Sequence, residues 1–123
     1  MKWVHLTLGS IAGGFARYGL AGLVLRWTGA DFPYGTLVVN LLGSLLIGFF
    51  NGLATEKFLL GPQERILLMT GFCGAFTTFS TLMLETGNLF RDSEIGLGLA
   101  NLGISIVAGL GLFFLGEFLA RVL

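Results

Sequence analysis

Charge is scarce in this chain. Of its 123 residues seven are Lys or Arg and seven are Asp or Glu, a sum of zero that leaves no basic stripe for a phosphate backbone and excludes DNA or RNA as a partner. Histidine and cysteine occur once each, as His5 and Cys73. One thiol cannot close an internal disulfide, and a lone imidazole has no companion at metal-ligand spacing, so neither a disulfide framework nor a zinc site is expected. The chain lacks a phosphate-cradling loop of the Walker type and any Ser/His or His/Asp constellation at useful spacing, so it is expected to be neither a nucleotide-driven pump nor an enzyme.

What fills the chain instead is apolar. Hydrophobic residues make up 54% and the mean hydropathy is +0.87, far from an ordinary soluble domain. Four apolar runs, Trp3 to Trp27, Phe32 to Ala54, Arg65 to Phe90 and Ile95 to Leu123, are each long enough to cross roughly 30 Å of hydrocarbon at about 1.5 Å per residue. The expectation is an all-α membrane protein with four transmembrane helices, one domain over residues 1–123. The first run is too long for a cleavable signal and carries Arg17 inside it, so it should stay in the mature chain. Short linkers separate the runs: "TGADFP", "TEKFLLGPQE" with Pro62 suited to a first helical turn, and "FRDSE".

An even number of spans puts both termini on one side. That side holds Lys2, Lys57, Arg65 and Arg121, against Arg26 and Arg91 opposite and Arg17 within the first helix. So slight a positive-inside bias permits insertion both ways, and hence an antiparallel pair of identical subunits. The 20 glycines permit close helix approach. Helix two shows Asn40, Ser44, Gly48 and Gly52 at steps of four, helix four shows Asn101, Ser105 and Gly109, and helix one Gly9, Gly13 and Arg17. The glycines read as packing seams. The amides and hydroxyls need partners in lipid and are candidates for a path. Four helices from one short chain leave little room for a path inside a subunit, so a path should run between subunits.

The stretch "GFCGAFTTFST", Gly71 to Thr81, interrupts the third run. Two glycines and the β-branched Thr77, Thr78 and Thr81 weaken a continuous helix there. The composition predicts a half-helix ending near Gly74 and a second beginning near Thr77 or Thr78 with a threonine cap; the alternative is an unbroken helix whose threonines bond back to their own backbone. Carbonyls at the end of the first half would favour a cation, and N–H groups at the start of the second an anion. Phe79, Ser80, Thr81 and Leu82 then supply a ring edge and two hydroxyls within one turn, weak contacts that hold a small anion without trapping it. Glu85 is the odd member: it must be protonated, bonded or turned aside on an anion route, or else it reaches toward the headgroups.

Taken together, "GTLVVNLLGS", "GFCGAFTTFST", the "GGFARYGL" of helix one and the Asn101/Ser105 pair resemble the Fluc/CrcB family of fluoride channels, over nearly the whole chain. The resemblance implies an antiparallel dual-topology homodimer in a bacterial or archaeal plasma membrane. It implies two fluoride pores along the interface and a structural sodium ion held where the third helices cross. By motif, the sodium carbonyls would belong to Gly74 and Thr77, the pore amide to Asn40, and the first Phe-box ring to Phe79. Ser80 and Thr81 match the polar track, Glu85 a glutamate near its outer end, and Arg17 a vestibule charge. The sequence departs from the family pattern at Leu82, which takes the second Phe-box position, at Asn101, where some members have tyrosine, and at Gly109, a later serine position. Those departures put more weight on Asn40, Asn101, Ser105 and Thr81. They also leave open a pairing with a different homologue.

Two other readings compete. A small dual-topology proton-coupled drug exporter needs a deep carboxylate, for which Glu85 is the sole candidate. A non-transporting assembly subunit would use the polar stripes only as seams.

Overall fold

A computed structural model describes all 123 residues. The chain is wholly helical, and four stretches are long and apolar enough to cross a membrane: Lys2–Thr28, Tyr34–Thr55, Pro62–Arg91 and Ile95–Arg121. The first two and the last are the helices α1 (Lys2–Thr28), α2 (Tyr34–Thr55) and α6 (Ile95–Arg121). The third span is composite. It begins as α3 (Pro62–Arg65), with Pro62 in the first turn where its missing N–H is no loss, and winds as a π-helix over Ile66–Cys73. It then returns to α geometry in α4 (Gly74–Phe76) and continues after two residues as α5 (Phe79–Arg91).

Those two residues, Thr77 and Thr78, are extended, with φ, ψ of −90°, 159° and −149°, 122°. Gly74, where the composition places the end of a first half-helix, is itself still helical, and the helical geometry persists through Phe76. Thr78 caps α5, its hydroxyl accepting from the N–H of Thr81 at 3.1 Å, which satisfies one of the donors left over in a first helical turn. The π-wound stretch was not readable in the sequence; an extra residue per turn has no compositional signature there.

Glycines decide how closely the spans approach. On α2 and α6 the contact is reciprocal: a Cβ at Gly48 would strike the carbonyl of Phe113, and one at Gly116 the carbonyl of Leu45. On α1, Gly9 and Gly13 lie in the same way over the carbonyls of Leu67 and Phe72 in the π-wound stretch. The spans thus form two glycine-cemented pairs, α1 with the first half of the third span and α2 with α6, joined by further packing of α1 on α2 and of α5 on α6. Between the pairs lies a small core that includes Val39, Cys73, Phe76 and Leu82. Only 20 of 123 residues are buried within the subunit, so most of its apolar side chains must be covered by lipid or by another chain.

Candidate functional site

The extended Thr77–Thr78 step organises the site, because it frees backbone groups that other residues then take up. In an uninterrupted α-helix the Thr78 N–H would bond the carbonyl of Gly74. Here it donates to Oδ1 of Asn40 at 2.8 Å, and Nδ2 of Asn40 donates back to the Thr78 carbonyl at 3.0 Å. One side-chain amide of α2 thus pairs with both the N–H and the carbonyl of one residue of the third span. The carbonyl of Ala75, near the end of α4, accepts from Nε of Arg17 at 3.2 Å. Thr77 closes the turn behind it, its N–H and its hydroxyl both donating to the Cys73 carbonyl, at 3.0 and 2.9 Å. Gly43 gives Thr77 room: a Cβ there would meet the threonine methyl.

Two cavities flank this step. One of about 310 Å³ is lined by Asn40, Ser44, Thr78, Phe79, Leu82 and Ser105 among others. The second, about 620 Å³, contains Arg17, Thr36, Thr81, Glu85 and Asn88, with Asp31 and Asp92 also in its wall. Most of the residues singled out in the sequence therefore fall into two groups. Asn40, Phe79, Leu82 and Ser105 share the smaller cavity, and Arg17, Thr81 and Glu85 the larger. Thr78 joins the two, since it lines the first while its hydroxyl bonds Thr81, in the wall of the second, at 3.1 Å. Ser80 faces outward and lines neither, with its hydroxyl 3.4 Å from that of Thr78. Asn101 also lines neither: it is 1% exposed, between α5 and α6, and donates to the hydroxyl of Thr86 at 3.0 Å.

The two positions of the ring motif diverge. Phe79 is 73% exposed and points away from its own subunit, whereas Leu82, three residues on, is buried. Three buried polar atoms have no hydrogen-bond partner within the chain: Oε1 of Glu85 and Oγ of Ser105, whose residues line the cavities, and Oδ1 of Asn101 at the α5–α6 seam. Unpartnered polar atoms in a lipid-spanning segment are costly. Thr36 and Thr86 lay outside the sequence-based site, and Thr78 was seen only as a cap; the signal that marks all three is a threonine within an apolar span. Ser44 spends its hydroxyl on the Asn40 carbonyl at 2.8 Å, so it braces α2 locally although it borders the smaller cavity.

A sequence model of the family described as "CrcB-like protein, Camphor Resistance (CrcB)" matches residues 4–117. The chain belongs to this family. Among relatives of this CrcB-like chain is a protein of Chlorobaculum tepidum named "Fluoride-specific ion channel FluC", 49% identical over 123 residues, which cover 99% of this chain and 97% of the relative. A protein of the same name from Solidesulfovibrio magneticus is 45% identical over 122 residues, covering 99% of this chain and 98% of the relative. Another from Pyrococcus horikoshii is 44% identical over 116 residues, covering 94% and 93%. With four helices able to span a bilayer and relatives named as channels along nearly its full length, the CrcB-like chain is an integral membrane protein.

Proposed function

We propose that this protein is a fluoride-selective channel that lets fluoride leave the cell passively through the plasma membrane, and that it acts as an antiparallel homodimer with two pores along the subunit interface. The observation that carries the reading is the near full-length similarity to proteins named fluoride-specific ion channels, joined to a donor-bearing pair of cavities on either side of the Thr77–Thr78 step. Fluoride is small and strongly hydrated, so its passage requires hydroxyl and amide donors that replace its water shell. Asn40, Thr81 and Ser105 are such donors, and no lysine lies deep in any span to trap the ion.

The dimer gives Phe79 its use. A ring 73% exposed beside the smaller cavity is poorly placed for its own subunit but well placed to line a passage shared with a second copy. Its positive edge then faces the anion, and Leu82 supplies only a wall. Ser80 lies on the same outward surface; Glu85, its Oε1 unpartnered, stands with Thr81 toward the outer end, and Asn101 backs the route behind Ser105. Arg17 supplies the one positive charge in the wall of the larger cavity, opposing the carboxyl groups of Asp31, Glu85 and Asp92 there, while its Nε stays on Ala75. The weak charge bias of the helix ends permits insertion of the two copies in opposite orientations.

A structural sodium ion at the centre of the dimer is part of the same reading. The residues present fit it: Asn40 has taken the N–H that would otherwise occupy the Gly74 carbonyl, and Gly74 is exposed at the subunit surface. Carbonyls of Gly74 and Thr77 from both copies would hold the ion, supplying the cation that a helix C-terminus favours.

The deciding experiment loads liposomes carrying the purified protein with fluoride or with chloride and follows efflux. Rapid loss of fluoride with retention of chloride is expected; retention of both ions would overturn the reading.

A further inference from the structure

We propose that Thr86 is a positioning residue for permeation, holding the Asn101 side chain across the α5–α6 seam so that Asn101 and Ser105 act as one polar pair beside the route. The inference rests on the channel reading above and concerns a residue that the sequence motifs pass over.

Thr86 and Asn101 are 3% and 1% exposed, and their 3.0 Å bond is the one side-chain hydrogen bond that ties α5 to α6. It uses only one end of the amide. The other end, Oδ1, is buried without a partner, and so is the hydroxyl of Ser105 one turn along the same helix. Ser105 in turn borders the cavity that holds Asn40 and Phe79. Were the bond mere glue between helices, a smaller apolar pair would fill the seam without leaving an amide oxygen and a hydroxyl unsatisfied in a lipid-spanning segment.

A threonine is suited to anchor such an amide. Its side chain is buried between the helices and already bonded to the amide, so packing holds the hydroxyl at the seam. That hydroxyl both donates and accepts, so the Asn101 amide can turn over and keep its anchor. In the observed arrangement Nδ2 donates to Thr86. After the turn the Thr86 hydroxyl donates to Oδ1 and both Nδ2 hydrogens are free to face an anion held by Ser105. No hydrogen bond to Thr86 is lost in the exchange, and no proton leaves either residue. Valine at position 86 would have nearly the same shape and could anchor neither orientation.

The test compares fluoride efflux from liposomes for the parent, Thr86→Val, Thr86→Ser, Asn101→Ala and the Thr86→Val/Asn101→Ala pair, each checked for the parent's particle size and thermal stability. Expected are a loss of about tenfold or more in Thr86→Val, the scale of one buried hydrogen bond, and recovery to within about twofold in Thr86→Ser. The double variant is expected to be no slower than Asn101→Ala alone, because Thr86 acts through Asn101. Efflux at the parent rate in Thr86→Val, no recovery in Thr86→Ser, or multiplicative losses in the double variant would each overturn the proposal. Should Thr86→Val not assemble, the contrast between Thr86→Ala and Thr86→Ser replaces it with the same criteria. A parent that passes no fluoride would instead count against the channel reading itself.

Discussion

Replacing Asn40 by aspartate changes a single NH₂ to an oxygen, yet two independent penalties follow from the geometry. Nδ2 of Asn40 donates to the Thr78 carbonyl at 3.0 Å while Oδ1 accepts from the Thr78 N–H at 2.8 Å. A carboxylate keeps the second bond and loses the first, leaving a part-buried carbonyl facing another acceptor; an unsatisfied group of this kind costs about 1–3 kcal/mol. The second penalty falls on the permeating ion. A full negative charge about 4 Å from an anion at an effective dielectric constant of about 20 repels it by about 4 kcal/mol, a factor of about a thousand in occupancy.

The two penalties separate by assay. The structural one lowers the melting temperature of the purified protein and is shared by Asn40→Ala, which leaves both the N–H and the carbonyl of Thr78 without the Asn40 side chain. The electrostatic one appears in fluoride efflux and belongs to Asn40→Asp alone. Efflux in Asn40→Asp is expected to fall by two to three orders of magnitude, about the range set by that repulsion. A modest loss in Asn40→Ala combined with a near-complete loss in Asn40→Asp would show the anion passing this amide. Flux at the parent rate in Asn40→Asp would refute the reasoning and remove Asn40 from the route.

Phe79→Ile keeps the apolar bulk of an outward-facing side chain but removes the ring edge, so fluoride efflux should drop by about two- to tenfold, the scale of an aromatic edge contact, with little change in stability; parent rates would count against ring coordination. Gly48→Ala places a methyl against the carbonyl of Phe113 and is expected to lower stability by about 1–3 kcal/mol in a denaturation series, whereas Gly96→Ala, with open space around it, should leave stability the same or higher. A cysteine at the N-terminus of a Cys73→Ala background, labelled from one side of sealed vesicles, should react in about half of the molecules if the subunits insert both ways. All-or-none labelling would rule out the antiparallel pair.

The sequence made the spans legible because length and hydropathy are properties of whole segments, insensitive to the placement of any one residue. The linkers followed from Pro33, Pro62 and the "FRDSE" run, and the helix seams from glycines four apart, several of which the structure sets against facing backbone. The non-helical residues at Thr77 and Thr78 were within reach because β-branching and a capping hydroxyl are local signals. Less legible were features that depend on distant partners. Nothing in the sequence shows that Arg17 caps the Ala75 carbonyl, since 58 residues separate them. Nor could spacing reveal that Asn101 turns to Thr86 instead of opening into a cavity, because an amide on a helix has two neighbouring helices to choose between and packing makes the choice. The divergence of Phe79 and Leu82 lay between these cases. Three residues apart on a helix they stand only about 60° apart around the axis, so spacing puts them on one face, and packing against the neighbouring helices decides that Leu82 closes the core while Phe79 in the first turn stays exposed.

The Thr77–Thr78 step persists in an apolar span because its liberated groups are not left to lipid. An uncovered peptide group in hydrocarbon costs several kcal/mol, enough to restore a continuous helix if nothing else bonded it. Asn40 from α2 takes both the N–H and the carbonyl of Thr78, Arg17 from α1 takes the Ala75 carbonyl, and the Thr78 hydroxyl takes the Thr81 N–H. Asn40 and Arg17 reach the step from two other helices, so the irregular geometry is a consequence of tertiary packing as much as of the glycines and threonines that permit it. The same economy accounts for the position of the cavities. Side chains that bond the backbone must border the gap where the helix departs from regularity, and the proposed anion route draws on those same side chains, Asn40 and Arg17.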